Sequence, residues 1–242
     1  MWAKRYILLF IISFLVQEVI AQKGVTTFGL QIKPIISSEI INTGPETIKE
    51  GAINFTLEPN QGYSFGMVIR RGITDQISFE SGINYTKRHY NLNITNDTLN
   101  FDGKSNFSYV IYEIPALALI YVQLGQKLYL NTAFGASLNF LPSSWDSYDT
   151  YFTHFSKRKS WIVPSLLANV GFEYRTRKDG IFYLGFSYHR PFSKITTAGV
   201  GYVEDRIQKE AAFFDVTGNY LTIDLRYFFH EEPLWKQKRE RE

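Results

Sequence analysis

Histidine, serine and aspartate side chains are the residues of this chain that suggest hydrolytic chemistry. His189 has Ser187 two residues before it, and a serine within reach of a histidine is the pair that acyl-transfer enzymes use. An aspartate beside a histidine is instead a pair that can activate water. The residues concerned are His89, Asp146, Asp149, His154, Ser187, His189 and His230.

The spacing of these residues does not specify a catalytic triad, because serine and aspartate are abundant in any polar loop. The sequence contains no metal-ligand cluster and no phosphate-binding glycine motif, and its lack of cysteine excludes thiol catalysis and disulfides. We therefore predict that the protein is not an enzyme and uses no cofactor or metal. A hydrolase is the alternative.

Nine charged residues share a strand face with glycine, serine, asparagine and threonine. If that face lines an interior of low dielectric, charges of both signs must pair with one another. We predict a salt-bridge network, with an ion path or a catalytic carboxylate pair as the alternative interpretations. The nine residues are Lys33, Arg70, Glu80, Arg88, Glu113, Glu173, Arg175, Asp224 and Arg226.

The elements that must position these side chains are β-strands. In residues 127–141, leucine and phenylalanine fall on one face, whereas the other carries mostly asparagine, glycine, serine and alanine. A period of two residues indicates a strand, because successive side chains leave a strand on opposite sides. The same alternation predicts eight strands, at residues 25–36, 61–71, 76–90, 107–122, 127–141, 161–176, 181–190 and 219–229.

The connections between these strands alternate in length, at about 24, 4, 16, 4, 19, 4 and 28 residues. This rhythm is typical of outer-membrane barrels, in which short turns lie in the periplasm and long loops lie outside the cell. We therefore predict an all-β fold, an eight-stranded antiparallel up-and-down transmembrane β-barrel. Such a barrel has room inside only for packed side chains, so we predict a filled lumen.

An exported, water-soluble barrel of the lipocalin kind would show the same alternation. The composition of the two faces distinguishes these possibilities, since a water-facing exterior is normally dense in lysine and glutamate. Here the polar face is mostly glycine, serine, asparagine and threonine, which suits a crowded interior. Tyrosine and phenylalanine recur near the strand ends, as in interfacial aromatic girdles. We predict that the apolar face contacts lipid.

The first 21 residues have the pattern of a cleaved signal peptide, with an uncleaved anchor as the alternative. Lys4 and Arg5 precede an apolar run of about 11 residues, which is too short to span a bilayer as a helix. The predicted division is therefore a signal peptide at 1–21, a barrel domain at 22–229 and a charged periplasmic tail at 230–242. Without the leader, the totals of 26 basic and 23 acidic residues each fall only slightly, and this balance gives no argument for nucleic-acid binding.

Residues 112–119 read Tyr-Glu-Ile-Pro-Ala-Leu-Ala-Leu, after a polar stretch and before a short turn and a glycine-bearing strand. This segment resembles the Leu-Glu-Ile-Pro strand of the PorT-like outer-membrane β-barrel family of Bacteroidetes. The resemblance implies the barrel fold and the Gram-negative outer membrane. The family's namesake is linked to protein secretion and gliding, a role that does not transfer on fold alone.

The long loops are the predicted sites of function, because a rigid barrel displays them to the outside. One loop is rich in aromatic residues, which form either a binding surface or a continuation of the aromatic girdle. Residues 91–106 are predicted to be a solvated loop, and residues 204–214 a short helix. The candidate binding residues are Trp145, Tyr148, Tyr151, Phe152 and Phe155.

These features predict a barrel that displays its loops for binding or serves as an accessory to a surface or secretion system. Its predicted partners are outer-membrane lipid, the barrel assembly machinery and an extracellular or secretion-system protein. A narrow passive channel is the alternative from another functional class.

Overall fold

The computed structural model describes residues 24–36, 44–74, 76–96, 98–142, 144–148, 151–176, 179–204 and 207–230. The predicted signal peptide and residues 231–242 of the predicted tail lie outside these ranges. The described chain is built of β-strands. They are β1 (Thr26–Ile36), β2 (Glu46–Glu50), β3 (Ile53–Gly72), β4 (Ile77–Asn96), β5 (Phe101–Gln123), β6 (Leu128–Phe140), β7 (Trp145–Tyr148), β8 (Phe152–Arg158), β9 (Ile162–Arg175), β10 (Ile181–Pro191), β11 (Thr196–Glu204), β12 (Ile207–Val216) and β13 (Tyr220–Phe228).

Eight strands form the barrel, in the order β1-β3-β4-β5-β6-β9-β10-β13. Each pairs antiparallel with the next, and β1 pairs both with β13 and with β3, so the pairings return to their starting strand. The predicted fold class is confirmed. All eight predicted strands are present, and their bounds agree to within one residue except where β3, β4 and β5 extend further. In the described residues, no helix is long and apolar enough to cross a bilayer.

The outer face of the barrel is apolar. Alternate residues of every barrel strand expose large side chains, with Phe134 at 62% and Leu184 at 53%. The predicted outward register of residues 112–120 is also observed. A continuous exposed apolar band of this kind is not stable in water, so this is the face suited to lipid.

The barrel has two unlike ends. One end, which we call the turn end, carries the three short connections. The other, the loop end, carries the long connections and the extensions of β3, β4 and β5. A second sheet of four strands, in the order β12-β11-β8-β7, is formed by the long connections at the loop end.

The prediction of a solvated loop at residues 91–106 is wrong. Strand β4 continues to Asn96, β5 begins at Phe101, and the two strands pair along their full length. The polar residues alternate with buried apolar ones, such as Leu92 and Ile94, and therefore form the solvent face of a strand.

The predicted helix at residues 204–214 is also wrong, because this segment contains most of β12. Antiparallel pairing with β11 runs from Thr196 opposite Val216 to Glu204 opposite Ile207. Ala212 and Phe214 are buried on one face, while Phe213 is exposed on the other. This period of two is not compatible with a helix, in which residues three or four positions apart share a face.

The second sheet packs on the loop-end halves of β3–β5 and encloses an apolar core. Phe101 lies 5.5 Å from Tyr202, and Phe107 lies 4.2 Å from His154, between ring centroids. We call this body the cap. Its core is formed by Ile53, Phe55, Leu57, Tyr90, Leu92, Ile94, Phe107, Tyr109, Ile111, Leu141, Phe152, Val163, Ile195, Ala198, Val200, Tyr202, Ala212, Phe214 and Val216.

Alanine substitutions at two neighbouring phenylalanines of β12 test whether this core stabilises the cap. Phe214→Ala removes a fully buried ring, and we expect it to destabilise the cap by about 3–5 kcal/mol. Phe213→Ala, the matched control, removes a ring that is 60% exposed and should change stability little. The measurement is limited proteolysis of the folded protein in detergent. Equal resistance of the two variants within the cap would contradict this core.

Candidate functional site in the barrel lumen

Glycine residues on the inner face of the barrel leave space for polar side chains to pack closely together. Gly171 and Gly185 lie opposite each other on β9 and β10. A Cβ at either position would collide with the hydroxyl of Tyr183. Because both residues are glycine, this hydroxyl can enter the space between them and donate to Asn169 Oδ1 at 2.7 Å.

Seven charged side chains form one chain of alternating sign along the lumen. Its central carboxylate is Glu80, whose Oε2 lies 3.1 Å from Arg70 Nη2 and whose Oε1 lies 2.5 Å from Arg226 Nη1. All seven side chains are buried except that of Arg175, which is slightly exposed. The order of contacts is Arg175, Glu173, Arg70, Glu80, Arg226, Asp224 and Lys33.

This chain crosses the barrel rather than following its wall. Arg70 on β3 donates from Nη1 to Glu173 Oε2 on β9 at 2.7 Å, and these strands stand on opposite sides of the ring. Arg226 on β13 contacts Glu80 on β4, three strands away. These two pairs therefore connect strands that share no backbone hydrogen bonds.

Aromatic rings enclose the cations at the turn end. The guanidinium carbon of Arg70 lies 3.9 Å from the ring centroid of Phe228, and that of Arg175 lies 4.1 Å from Tyr129. Both distances are within the range of cation–π attraction. A void of about 20 Å³ remains beside Arg70 and Tyr121, which is room for about one water molecule.

A second carboxylate, Glu113, has its own group of partners nearer the loop end. Its Oε2 lies 3.0 Å from His189 Nδ1 and accepts from the hydroxyl of Tyr220 at 3.0 Å. Its Oε1 accepts from Asn84 Nδ2 at 3.2 Å. The ring of His189 stacks on Tyr220, with centroids 4.1 Å apart. Glu113 is thus a buried carboxylate whose two oxygens are both engaged.

The structure does not form the hydrolytic pair suggested by Ser187 and His189. Ser187 Oγ donates to Asp224 Oδ2 at 2.5 Å, while His189 faces Glu113. A serine that donates to a carboxylate is not deprotonated by the neighbouring histidine in this arrangement.

A different serine–histidine contact does exist, and the sequence pattern did not single it out. Ser156 Oγ lies 2.9 Å from His154 Nε2 and 3.0 Å from the hydroxyl of Tyr109. Both Ser156 and His154 are 1% exposed within the cap core. A spacing of two along an alternating strand is the signal that places them on one face. Of the other candidates, His89 is half-buried and His230 is exposed, whereas the side chains of Asp146 and Asp149 lie outside the described residues.

All nine charged residues predicted to face inward do so, and eight of them are buried. Seven form the alternating chain, and Glu113 forms its own group. Arg88 belongs to neither, because its Nη2 donates to the backbone oxygen of Asn219 at 3.2 Å.

The predicted aromatic loop is split between surface and core. Tyr151 and Phe155 are exposed, as a binding surface requires. Phe152 is buried in the cap core, so its assignment to that surface is wrong; it alternates with its neighbours along β8 and faces inward. The side chains of Trp145 and Tyr148 lie outside the described part of the chain, although their backbone forms β7.

Among the described residues, no group of three histidine, aspartate or glutamate side chains is positioned to hold a metal ion.

No protein-family model matches the chain, and no curated protein matches it. Some solved structures do match this chain. The outer-membrane protein OprG from Pseudomonas aeruginosa is similar with a TM-score of 0.52 at 13% identity, over 87% of this chain and 98% of that one. The outer-membrane protease OmpT from Escherichia coli has a TM-score of 0.32 at 12% identity, over 85% and 94%. The strand pairings and the likeness to OprG together show the fold of an eight-stranded outer-membrane β-barrel.

The alternating chain predicts a large effect from one neutral replacement. Glu80→Gln leaves Arg70 and Arg226 buried without their shared carboxylate, and we expect it to lower the free energy of unfolding by about 3–5 kcal/mol. The control is Asp102→Asn, which breaks an exposed pair with Lys104 and should change the free energy by no more than about 1 kcal/mol. Denaturant unfolding in detergent micelles measures both. Equal effects would show that the lumen pairs are not coupled to folding.

Proposed function

We propose that this protein is an integral outer-membrane barrel that does not conduct and that holds the cap at the cell surface for binding a protein partner. The observation that carries the proposal is the chain of seven charges across the lumen. An ion that passed through would have to separate buried pairs such as Arg70 and Glu173, and breaking a buried ion pair is costly. A closed lumen leaves the cap as the part of the molecule available for function.

The orientation in this proposal follows the alternation of connection lengths. In outer-membrane barrels the short turns face the periplasm and the long connections face outward. The turn end would then lie in the periplasm, and the cap would lie outside the cell. The apolar outer band, with exposed Trp161 and Phe192 at its loop-end margin, supports insertion in a bilayer.

The outer face of the second sheet supports partner binding. Phe155 and Phe213 are exposed there, with ring centroids 6.1 Å apart in an edge-to-face arrangement. The ring of Phe155 lies so closely over Gly199 that a Cβ at this position would collide with it. Large exposed aromatic side chains held in fixed positions are typical of protein-binding surfaces.

The proposal includes no hydrolytic role, and the engagement of Ser187 by Asp224 supports this part of it. An accessory role in secretion, which is linked to the namesake of the PorT-like family, would be a more specific version of partner binding. It predicts that deletion of the gene stops export of a surface protein, and unimpaired export in the deletion strain would exclude it.

Conductance in planar bilayers tests the closed lumen. We expect the folded full-length chain to give no steady single-channel current, because paired side chains fill the cross-section of the lumen. A general porin in the same lipid serves as the positive control for insertion. Steady, step-like currents from homogeneous folded protein would contradict the proposal and favour a narrow passive channel.

A further inference from the structure

The outward face of β10 ends in an exposed cation. Its outward residues are large and apolar or aromatic, and Arg190 follows them at the loop end as an exposed residue. The residues before it are Phe182, Leu184, Phe186 and Tyr188. A charge on a lipid-facing surface is costly at the middle of a bilayer but costs little near its surface, where a long cationic side chain reaches the headgroups. In the orientation proposed above, Arg190 therefore lies at the level of the lipid headgroups.

Exposed aromatic residues mark a similar level on β10 and on the neighbouring strand β9. Phe192, two positions beyond Arg190, is 62% exposed, and its backbone N–H donates to the backbone oxygen of Pro164 at 3.0 Å. Trp161, just before β9, is 59% exposed, and its ring centroid lies 6.0 Å from that of Phe140 on β6. Aromatic side chains are enriched at membrane–water interfaces. This sector of the wall therefore indicates where the apolar part of the bilayer ends.

Two lysines lie next to these aromatic residues in the chain. The Nζ atom of Lys159 lies 2.9 Å from Asp215 Oδ1, and that of Lys194 lies 2.5 Å from Asp215 Oδ2. The two segments are also joined by a hydrogen bond from the backbone N–H of Lys159 to the backbone oxygen of Ile195 at 3.1 Å. The two lysine side chains are 41% and 49% exposed, so a ligand can reach both of them.

We call Lys159, Arg190 and Lys194 the basic margin, because its positive charge exceeds what its carboxylate neutralises. Asp215 is shared by Lys159 and Lys194, and in the described part of the chain no carboxylate forms an ion pair with Arg190. Lys157, two positions before Lys159, is a further exposed cation. Basic residues beside a bilayer attract anionic lipid headgroups. The excess charge therefore favours an anionic ligand.

The levels of these cations favour a lipid over a soluble ligand. Arg190 pairs in register with Leu166, and Lys159 precedes Leu166 by seven positions. The basic margin thus extends from the lipid-facing side of the barrel to beyond Trp161. A soluble acidic protein could not reach Arg190 without displacing lipid, and a headgroup with a single phosphate would contact only part of the margin. A large headgroup with phosphates at two positions matches both levels.

We propose that the basic margin binds a phosphorylated glycolipid of the outer leaflet. Arg190 contacts a phosphate near the acyl chains, and Lys159 and Lys194 contact a phosphate further from the membrane. The acyl chains lie along the apolar outward residues of β10. This inference rests on the insertion and orientation given under the proposed function, but it requires neither a closed lumen nor a protein partner.

Native mass spectrometry of the folded full-length chain in detergent micelles tests the site, with lipid A that carries two phosphates as the probe. The matched ligand is the dephosphorylated form with the same acyl chains. We expect saturable binding of the phosphorylated form, and binding at least about tenfold weaker without the phosphates. Arg190→Gln and Lys194→Gln should each weaken binding about fivefold, because each removes one charge beside the headgroup.

Lys104→Gln is the matched control, since it removes the same charge from an exposed side chain of β5, eight positions from Tyr112, where pairing with β6 ends. It should bind lipid A as the unmodified chain does. The heat-dependent mobility of folded barrels on gels establishes that each variant is folded.

Three results would each overturn the proposal. They are equal binding of the dephosphorylated form, unchanged affinity in folded Arg190→Gln and Lys194→Gln, and displacement of the lipid by an equimolar concentration of inorganic phosphate. Because binding is measured in detergent, it is independent of whether the lumen conducts. Failure of this site and failure of the closed lumen are therefore distinguished by separate measurements.

Discussion

Buried charge is the constraint on which the rest of this structure depends. An eight-stranded barrel is too narrow for a water-filled interior, so every charge on its inner face must find a partner inside the protein. Arg70 and Arg226 satisfy this by sharing the two oxygens of Glu80, and each then contacts a second carboxylate. Because the contacts of Arg70 with Glu173 and of Arg226 with Glu80 cross the ring, they hold distant parts of the wall at a fixed distance. The closed lumen that we propose and the stability of the barrel would then have the same physical origin.

The two faces of β4 show how one strand serves two environments. Near the turn end Phe79 faces outward and Glu80 faces inward, as suits a wall between lipid and a polar lumen. Near the loop end the polarity of the two sides is reversed, since the inward residue Leu92 is apolar and the outward residue Asn93 is polar. The period of two never changes, but the polarity of the two faces exchanges at about the level of Arg88. Beyond that level the same strand belongs to one of the two sheets that enclose the core of the cap.

The residues that could be placed from the sequence are those governed by alternation alone. The eight barrel strands and the inward direction of all nine charges follow from a period of two with small residues on one side. The sequence does not identify residues 91–106 as strand, because their solvent face is rich in asparagine, which is uncommon in strands. Alternation does not tell which face of a strand is covered until the second sheet is known, so the sequence alone cannot place Phe152 in the core.

The pairing of the charges could not be predicted, because it depends on which strands face each other across the ring. Nothing in the sequence indicates that Arg70 contacts Glu173, 103 positions away. That no carboxylate among the described residues forms an ion pair with Arg88 is hidden for the same reason, since it too depends on which residues face one another across the ring. The Ser187 and His189 pair shows the converse, because two residues on one face contact different carboxylates: Ser187 contacts Asp224 on the neighbouring strand, and His189 contacts Glu113 across the lumen.

A double-mutant cycle on Arg70 and Glu173 tests most directly whether charges across the lumen hold the barrel together. The variants are Arg70→Met, Glu173→Gln and the combination, and the measured quantity is the free energy of unfolding in detergent micelles. If the two side chains pair as described, the single changes are not additive, and the coupling free energy is at least about 1 kcal/mol. Additivity to within about 0.3 kcal/mol would contradict the central role of this network.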